Sequence, residues 1–264
     1  MKRFIKDIKT YYKYIIYAGQ SELKAEVANS YLNWLWWIIE PLCFMFIYSL
    51  VFGVFFENKM PHINVFVYIG ITMWDFFSRM VNGSVKIVKN NKAIVAKVYI
   101  PKYMLLFVKL YVNLFKMFIG FLLLFIMAFF SGIPFTFYMF WIIPIIITMI
   151  SFTFAICTFL LHFGVYVEDL ANVTKIFLRI VFYLTGIFYD LEGRVTKIYG
   201  HRVAMMIEHF NPMASVMTSA RKVVLYGTMP GYKAMAIWFV LGIVFSAIGI
   251  KMIYKNENNY VKVI

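Results

Sequence analysis

Glu40, Asp75, Arg79, Lys175 and Arg179 each fall inside a run of otherwise apolar residues. A charge held in such surroundings is costly unless it is paired, hydrated or matched by a ligand, so these positions are the first candidates for chemistry. Asp75 and Arg79 are four residues apart, the spacing at which side chains meet on one helix face. They fit either an intrahelical ion pair or a substrate contact. Glu40 stands directly before Pro41 and reads either as a functional carboxylate or as one hydrated or paired near lipid headgroups. Lys175 and Arg179 repeat the four-residue spacing, so one helix face would present both cations.

The rest of the inventory argues against an enzyme. The chain has no glycine-rich segment ending in Gly-Lys-Ser/Thr, so any ATP it uses is bound by another polypeptide. His62, His162, His201 and His209 are scattered and lack carboxylates at ligand spacing, and no metal is expected. Cys43 and Cys157 lie within apolar runs and read as small hydrophobes. There is neither a nucleophile elbow nor an acidic motif for glycosyl transfer.

The elements that must position the charges follow from hydropathy. With 63% hydrophobic, 20% aromatic and 14% charged residues, no soluble surface can be assembled without large apolar patches. Six runs approach or exceed the length of a bilayer crossing: Leu35–Phe56, Val65–Met80, Tyr103–Phe130, Phe135–Phe163, Val173–Tyr189 and Tyr232–Tyr254. The sequence therefore predicts an all-α polytopic membrane protein of six transmembrane helices, forming one domain over residues 1–264 without internal repeats.

Between the runs lie three distinctive segments. In residues 1–30, Ile5, Ile8, Tyr12, Ile15, Leu23 and Val27 recur at helical spacing, with Lys6, Lys9 and Lys13 on another face. This is an amphipathic helix lying in the membrane interface with its lysines toward anionic headgroups, or one packed on a soluble partner. Residues 83–102 are lysine-rich, end near Pro101 and leave room for a short helix along the membrane face. Residues 190–231 are too long for an idle loop and too apolar for disorder, and they break at Asn211-Pro212. Two short re-entrant helices at the outer leaflet, or a pair lying flat on the surface, satisfy that pattern.

The net charge of +14 follows the positive-inside rule rather than a nucleic-acid partner. Lys2, Arg3, Lys6, Lys9, Lys13 and Lys24, then Lys86, Lys89, Lys92, Lys97 and Lys102, then Lys251, Lys255 and Lys262 all fall on one side if there are six crossings. The opposite short loops hold Lys59, and Arg194, Lys197, Arg202, Arg221 and Lys222 of the long segment weaken the bias without reversing it. Both termini are expected in the cytoplasm.

Several ordered motifs resemble a known family. Glu22-Leu23-Lys24, the stretch Asn29 to Trp37, Glu40-Pro41-Leu42, Ile47-Tyr48 and Val51-Phe52-Gly53 resemble the opening of the membrane subunits of bacterial ABC exporters of polysaccharides and teichoic acids. Gly70, Trp74, Phe76-Phe77, Lys97, Pro101, Glu168-Asp169, Thr185 to Tyr189, Asn211-Pro212 and Arg221 continue in that family's order. Asn33 stands where glycine is expected, and Gly186 where many relatives carry proline.

The resemblance implies a permease in the bacterial cytoplasmic membrane, a homodimer carrying two copies of a soluble ATP-binding subunit. ATP and Mg would sit on that partner, with no cofactor on this chain. Residues 83–102 would form the coupling region, with Lys86, Lys89, Asn90, Asn91, Lys92 and Lys97 facing the ATPase. The implied cargo is a lipid-linked O-antigen, capsule or teichoic acid polymer. Sugar rings pack on aromatic faces, so Phe44, Tyr48, Phe52, Phe55 and Phe56 in the first run and Phe182, Tyr183, Phe188 and Tyr189 in the fifth are candidate channel-lining residues. Lipid contact and helix packing account for the same rings. Lys24, Lys175 and Arg179 are candidates for the lipid phosphate, and snorkelling to headgroups accounts for them equally. An ABC exporter of a small amphiphile or drug is one alternative. A membrane-embedded glycan-transferring enzyme is another, and it lacks an acid–base constellation.

Overall fold

The computed structural model describes residues 2–28, 31–51, 62–190, 206 and 209–263, and these are helical with no strand. The helices are α1 (Lys2–Val27), α2 (Trp36–Ser49), α3 (Ile63–Val85), α4 (Ile87–Asn90), α5 (Lys92–Val95), α6 (Tyr103–Phe130), α7 (Ile142–Tyr166), α8 (Leu170–Leu184), α9 (Pro212–Val224) and α10 (Tyr232–Val263). Among the described residues, three stretches are long and apolar enough to cross a membrane: Tyr103–Phe130, Phe137–Tyr166 and Tyr232–Tyr260. The second of these is α7 preceded by a 3-10 turn, Phe137–Trp141.

Helix α3 is the hub. Fourteen of its 23 residues are buried, and α2, α6, α7, α8 and α9 all pack on it. Contacts give the directions: Thr72 meets Gly120 and Gly83 meets Lys109, so α3 and α6 are antiparallel. Phe77 meets Phe152 and Val85 meets Gly164, so α3 and α7 run the same way. Helix α10 follows α7 in parallel, with Gly242 against Ser151 and Gly249 against Thr158. Glycines there let the two backbones approach, as small residues do between helices in lipid.

Both ends of the chain meet at one end of the bundle. Arg3 Nη2 donates to Glu257 Oε1 at 2.8 Å and to Tyr99 Oη at 2.7 Å, and Asp7 Oδ2 accepts from both Tyr103 Oη and Tyr254 Oη at 2.8 and 2.6 Å. Helix α1 runs obliquely along α6, from Phe4 beside Tyr103 and Phe107 to the ion pairs Glu22–Lys109 and Glu26–Lys116.

Two expectations from the sequence are corrected. The helix of the fifth run starts at Leu170 and stops at Leu184, so Phe188 and Tyr189 sit on a turn rather than on a helix. The reason is Gly186, whose φ of 72° closes the helix in the left-handed region that proline cannot enter. The short helix expected in residues 83–102 is two four-residue helices, α4 and α5, joined at Asn91. In residues 190–231, one helix, α9, is described, capped by Asn211 Oδ1 accepting from the Met213 and Ala214 amides at 3.0 and 3.3 Å. Ten of its 13 residues are buried, which does not fit a helix lying flat on a surface. Residues 191–205 and 207–208 of that segment lie outside the described residues, as do Phe52, Phe55 and Phe56.

Candidate functional site

Helix α3 presents a polar stripe, Asp75, Ser78, Arg79 and Asn82, between α2 on one side and α8 on the other. Two clefts flank it.

The first cleft lies between α2, α3 and α6. Arg79 Nε donates to both carboxylate oxygens of Asp75 at 2.8 Å, and Arg79 Nη2 reaches Glu40 Oε2 at 3.1 Å, so one guanidinium bridges two carboxylates on two helices. Charge-assisted contacts of this kind are stronger and more directional than neutral hydrogen bonds. Trp37, Asn113 and Lys116 are among the other residues lining a cavity of about 40 Å³, room for a few waters. Lys116 in turn pairs with Glu26 and lies 5.9 Å from the Trp37 ring. Side-chain exposures of 47% for Glu40, 46% for Asp75 and 37% for Arg79 mean that these charges open outward from the single chain. Bare hydrocarbon is an expensive neighbour for them, so water or protein is the physically acceptable surrounding.

The second cleft, about 550 Å³, lies between α3 and α8. Lys175 and Arg179 line it beside Ser78 and Asn82, and Trp74, Phe182 and Tyr183 continue it along the helices. The rings form a connected set: Trp74 and Phe182 are 5.4 Å apart, Phe182 and Tyr183 5.3 Å, both edge-on. Tyr183 is 68% exposed and Phe182 is half-buried. Two cations, two amide or hydroxyl groups and an aromatic wall suit an anion joined to a ring-bearing group.

The other candidates fall elsewhere. Phe44 is exposed on α2, and the side chain of Tyr48 lies outside the described residues. Phe188 is buried at 4% exposure against Phe182, so its ring packs inside the protomer and lines no open path here. The Tyr189 hydroxyl donates to the Tyr183 carbonyl at 2.7 Å. Lys24 is exposed on α1, which packs along α6, and it does not line the cleft of Lys175 and Arg179.

Among the lysines of residues 83–102, Lys89 Nζ donates to Glu168 Oε1 at 3.1 Å, joining α4 to the turn before α8. That hydrogen bond and the Lys89 charge hold the Glu168 carboxyl below the usual range. Lys86, Asn90, Lys92 and Lys97 are exposed, while Asn91 is half-buried and donates to the Ile87 carbonyl.

Two features escaped sequence reasoning. Lys109 and Lys116 interrupt the apolar run Tyr103–Phe130 and pair with Glu22 and Glu26 of α1; the signal was present but its partners are about 90 residues away. The second feature is the set of contacts made by Arg221, which the sequence marks only by its place in the order of motifs and which is enclosed on α9. Its Nη1 and Nη2 donate at 2.8 Å to the carbonyls of Gly186 and Ile187, and its guanidinium lies 3.5 Å from the centre of the Phe66 ring. Asn211 Nδ2 donates to Thr185 Oγ1 at 3.1 Å, so the same helix is tied twice to the turn that ends α8.

No family model matches the chain. It is similar to the O-antigen export system permease protein RfbA of Myxococcus xanthus, 25% identical over 230 residues that cover 87% of both chains. It is also similar to the protein of the same description from Klebsiella pneumoniae, 22% identical over 251 residues, 95% of this chain and 94% of that one. These relatives are named as permeases, which sets the chain among transporter components rather than enzymes.

Proposed function

We propose that this chain is the membrane subunit of an ATP-driven exporter that carries a lipid-linked cell-envelope glycopolymer outward across the cytoplasmic membrane. The observation that carries this reading is the cleft between α3 and α8. Lys175 and Arg179 have no ion-pair partner among the described residues, and they stand at one end of an aromatic wall of Trp74, Phe182 and Tyr183. The cations suit a phosphate or pyrophosphate head, and the rings suit the sugar attached to it. A volume near 550 Å³ falls within the range of ordinary ligand sites.

The wider assembly follows the relatives' description as O-antigen export permeases. Six crossings place both termini in the cytoplasm, in keeping with the Arg3–Glu257 pair and the alternating helix directions. Two copies of the chain would face each other across the charged stripe of α3, which keeps Glu40, Asp75 and Arg79 out of lipid. Two soluble ATPase subunits would bear on α4, α5 and the turn at Glu168. The polymer is O-antigen-like by the relatives' names; teichoic acid has no separate support.

The test is surface glycan in a strain lacking the chromosomal gene and carrying either this chain or its Lys175→Ala/Arg179→Ala variant. Normal membrane levels of the variant with surface polymer reduced at least about tenfold support the reading, since two charge-assisted contacts are removed. Undiminished polymer would refute the site, and unchanged polymer in the gene deletion itself would refute the function.

A further inference from the structure

Helix α8, which carries Lys175 and Arg179, is held at its two ends by contacts of opposite kinds. Its body is lightly held: of its 15 residues Thr174 and Leu178 are buried, while Val173, Ile176, Phe177 and Ile180 are exposed. Among the described residues its side chains make no hydrogen bond or ion pair to α3, and the Thr174 hydroxyl turns back to the Leu170 carbonyl of its own helix at 2.7 Å. The end at Leu184 is docked. Buried Arg221 donates to the carbonyls of Gly186 and Ile187, and Asn211 donates to Thr185 Oγ1. The end at Leu170 is fastened differently. Helix α7 stops at Tyr166, Val167 is extended, and α8 begins after Asp169 without a side-chain cap. Within that link Glu168 Oε1 accepts from Lys89 Nζ at 3.1 Å, and Lys86 acts on the same carboxylate from farther off. The Glu168 side chain is 85% exposed and that of Lys89 26%. Lys89 itself stands on a firm base. Ile87 and Val88 of α4 are buried, and just before them the Val85 carbonyl lies so close to Gly164 of α7 that an added Cβ would have no room.

We infer that Lys89 and Glu168 are positioning residues for the cleft between α3 and α8: their ion pair latches one end of α8 to α4, and with the pair open α8 swings about its docked end, carrying Lys175 and Arg179 away from Ser78 and Asn82. The inference rests on the proposed reading of this cleft as the ligand site. At 1.5 Å per helical residue, Glu168 stands about 25 Å from Thr185 and Lys175 about 15 Å, so a displacement of about 4 Å at the latch moves Lys175 by roughly 2 Å. That takes an ammonium out of hydrogen-bonding range of an anion it shares with Ser78 or Asn82. The chemistry of the latch suits this role. An exposed ion pair is weak and screened by salt, so it can be made and broken, whereas the buried bonds at the other end hold one geometry.

Two measurements on the full chain in nanodiscs of zwitterionic lipid test the inference. The position of α8 is read by double electron–electron resonance between spin labels at Ile176→Cys on α8 and Phe118→Cys on α6, both exposed positions, in a Cys43→Ser background that leaves the buried Cys157 in place. Ligand affinity is read by titrating inorganic pyrophosphate and following phosphorus NMR line broadening. Lys89→Glu and Glu168→Lys should each shift the label distance by about 2 Å. Each should also weaken pyrophosphate binding at least about tenfold, as expected when one charge-assisted contact is lost. The combined swap Lys89→Glu/Glu168→Lys should restore both readings. At 1 M salt, where the screening length is about 3 Å, the native chain should show the displaced distance. Distances that ignore both single substitutions, or a swap that restores neither reading, overturn the inference. Pyrophosphate binding lost in Lys175→Ala/Arg179→Ala but indifferent to Lys89 and Glu168 overturns it too, and leaves the proposed ligand site standing. A displaced α8 with no pyrophosphate binding in any variant or in the native chain supports the latch and refutes the proposed ligand.

Discussion

Gly70→Ala tests whether α3, α9 and the turn after α8 are locked by one guanidinium. A Cβ on Gly70 would lie 2.8 Å from Arg221 Nη2, 3.1 Å from Ile187 Cγ2 and 3.3 Å from the Ile187 carbonyl oxygen. The guanidinium has nowhere to retreat, because the Phe66 ring lies 3.5 Å away and two carbonyls hold its Nη atoms at 2.8 Å. Alanine gains about 1 kcal/mol over glycine in a helix interior. Against that stand the loss of one charge-assisted hydrogen bond, roughly 1.5–3 kcal/mol, and overpacking of about 1–3 kcal/mol. The balance is a destabilisation of about 1.5–5 kcal/mol. Unfolding in mixed micelles should be measured for Gly70→Ala alone and in an Arg221→Ala background. In that background the tightest contact is gone and the contacts to Ile187 remain, so the alanine should cost at least about 1.5 kcal/mol less than in the native background. An equal cost in both backgrounds, or no cost in either, would refute the lock.

Two further outcomes follow from the charges and the backbone. Arg79→Gln leaves Asp75 and Glu40 without their shared cation and should destabilise by about 1–3 kcal/mol, a value reduced from that of a fully buried pair because the groups are half-exposed. Adding Asp75→Asn and Glu40→Gln should recover most of it, and an additive series of losses in the same unfolding assay would show that the three groups do not act together. Asn33 has a φ of 49°, so Asn33→Gly should be tolerated within about 0.5 kcal/mol while Asn33→Val costs about 1–2 kcal/mol; equal melting of the two variants would remove the backbone argument.

Asn33 and Gly186 show how far local chemistry could be read from the chain. Glycine was expected before the tryptophans, and asparagine occupies the place; the left-handed backbone there explains both, since asparagine is the residue other than glycine that best tolerates it. At Gly186 the expected proline is absent because the turn needs positive φ, and that turn moved Phe188 and Tyr189 off the helix on which apolar length alone had placed them. Apolar run length marks where a helix is favoured, but the C-terminal glycine decides where it stops. The amphipathic pattern of α1 was legible for a similar reason: periodicity is local and survives any tertiary arrangement.

The parts that were not legible are those fixed by distance in the chain. The Asp75–Arg79 geometry follows from a four-residue spacing, but Glu40 joins it from 39 residues away and Glu26 reaches Lys116 across 90. Sequence spacing is blind to such partners, so nothing local marks Lys109 and Lys116 as paired. The structure gives them a purpose: each charge on α6 meets a carboxylate of α1, and the pairs fasten that helix to the bundle beside the Glu40 cavity. A chain so apolar meets the cost of its internal charges by pairing them between helices. Among the described residues Lys175 and Arg179 on α8 form no such pair, which is why the proposed function sets the ligand's charge beside them.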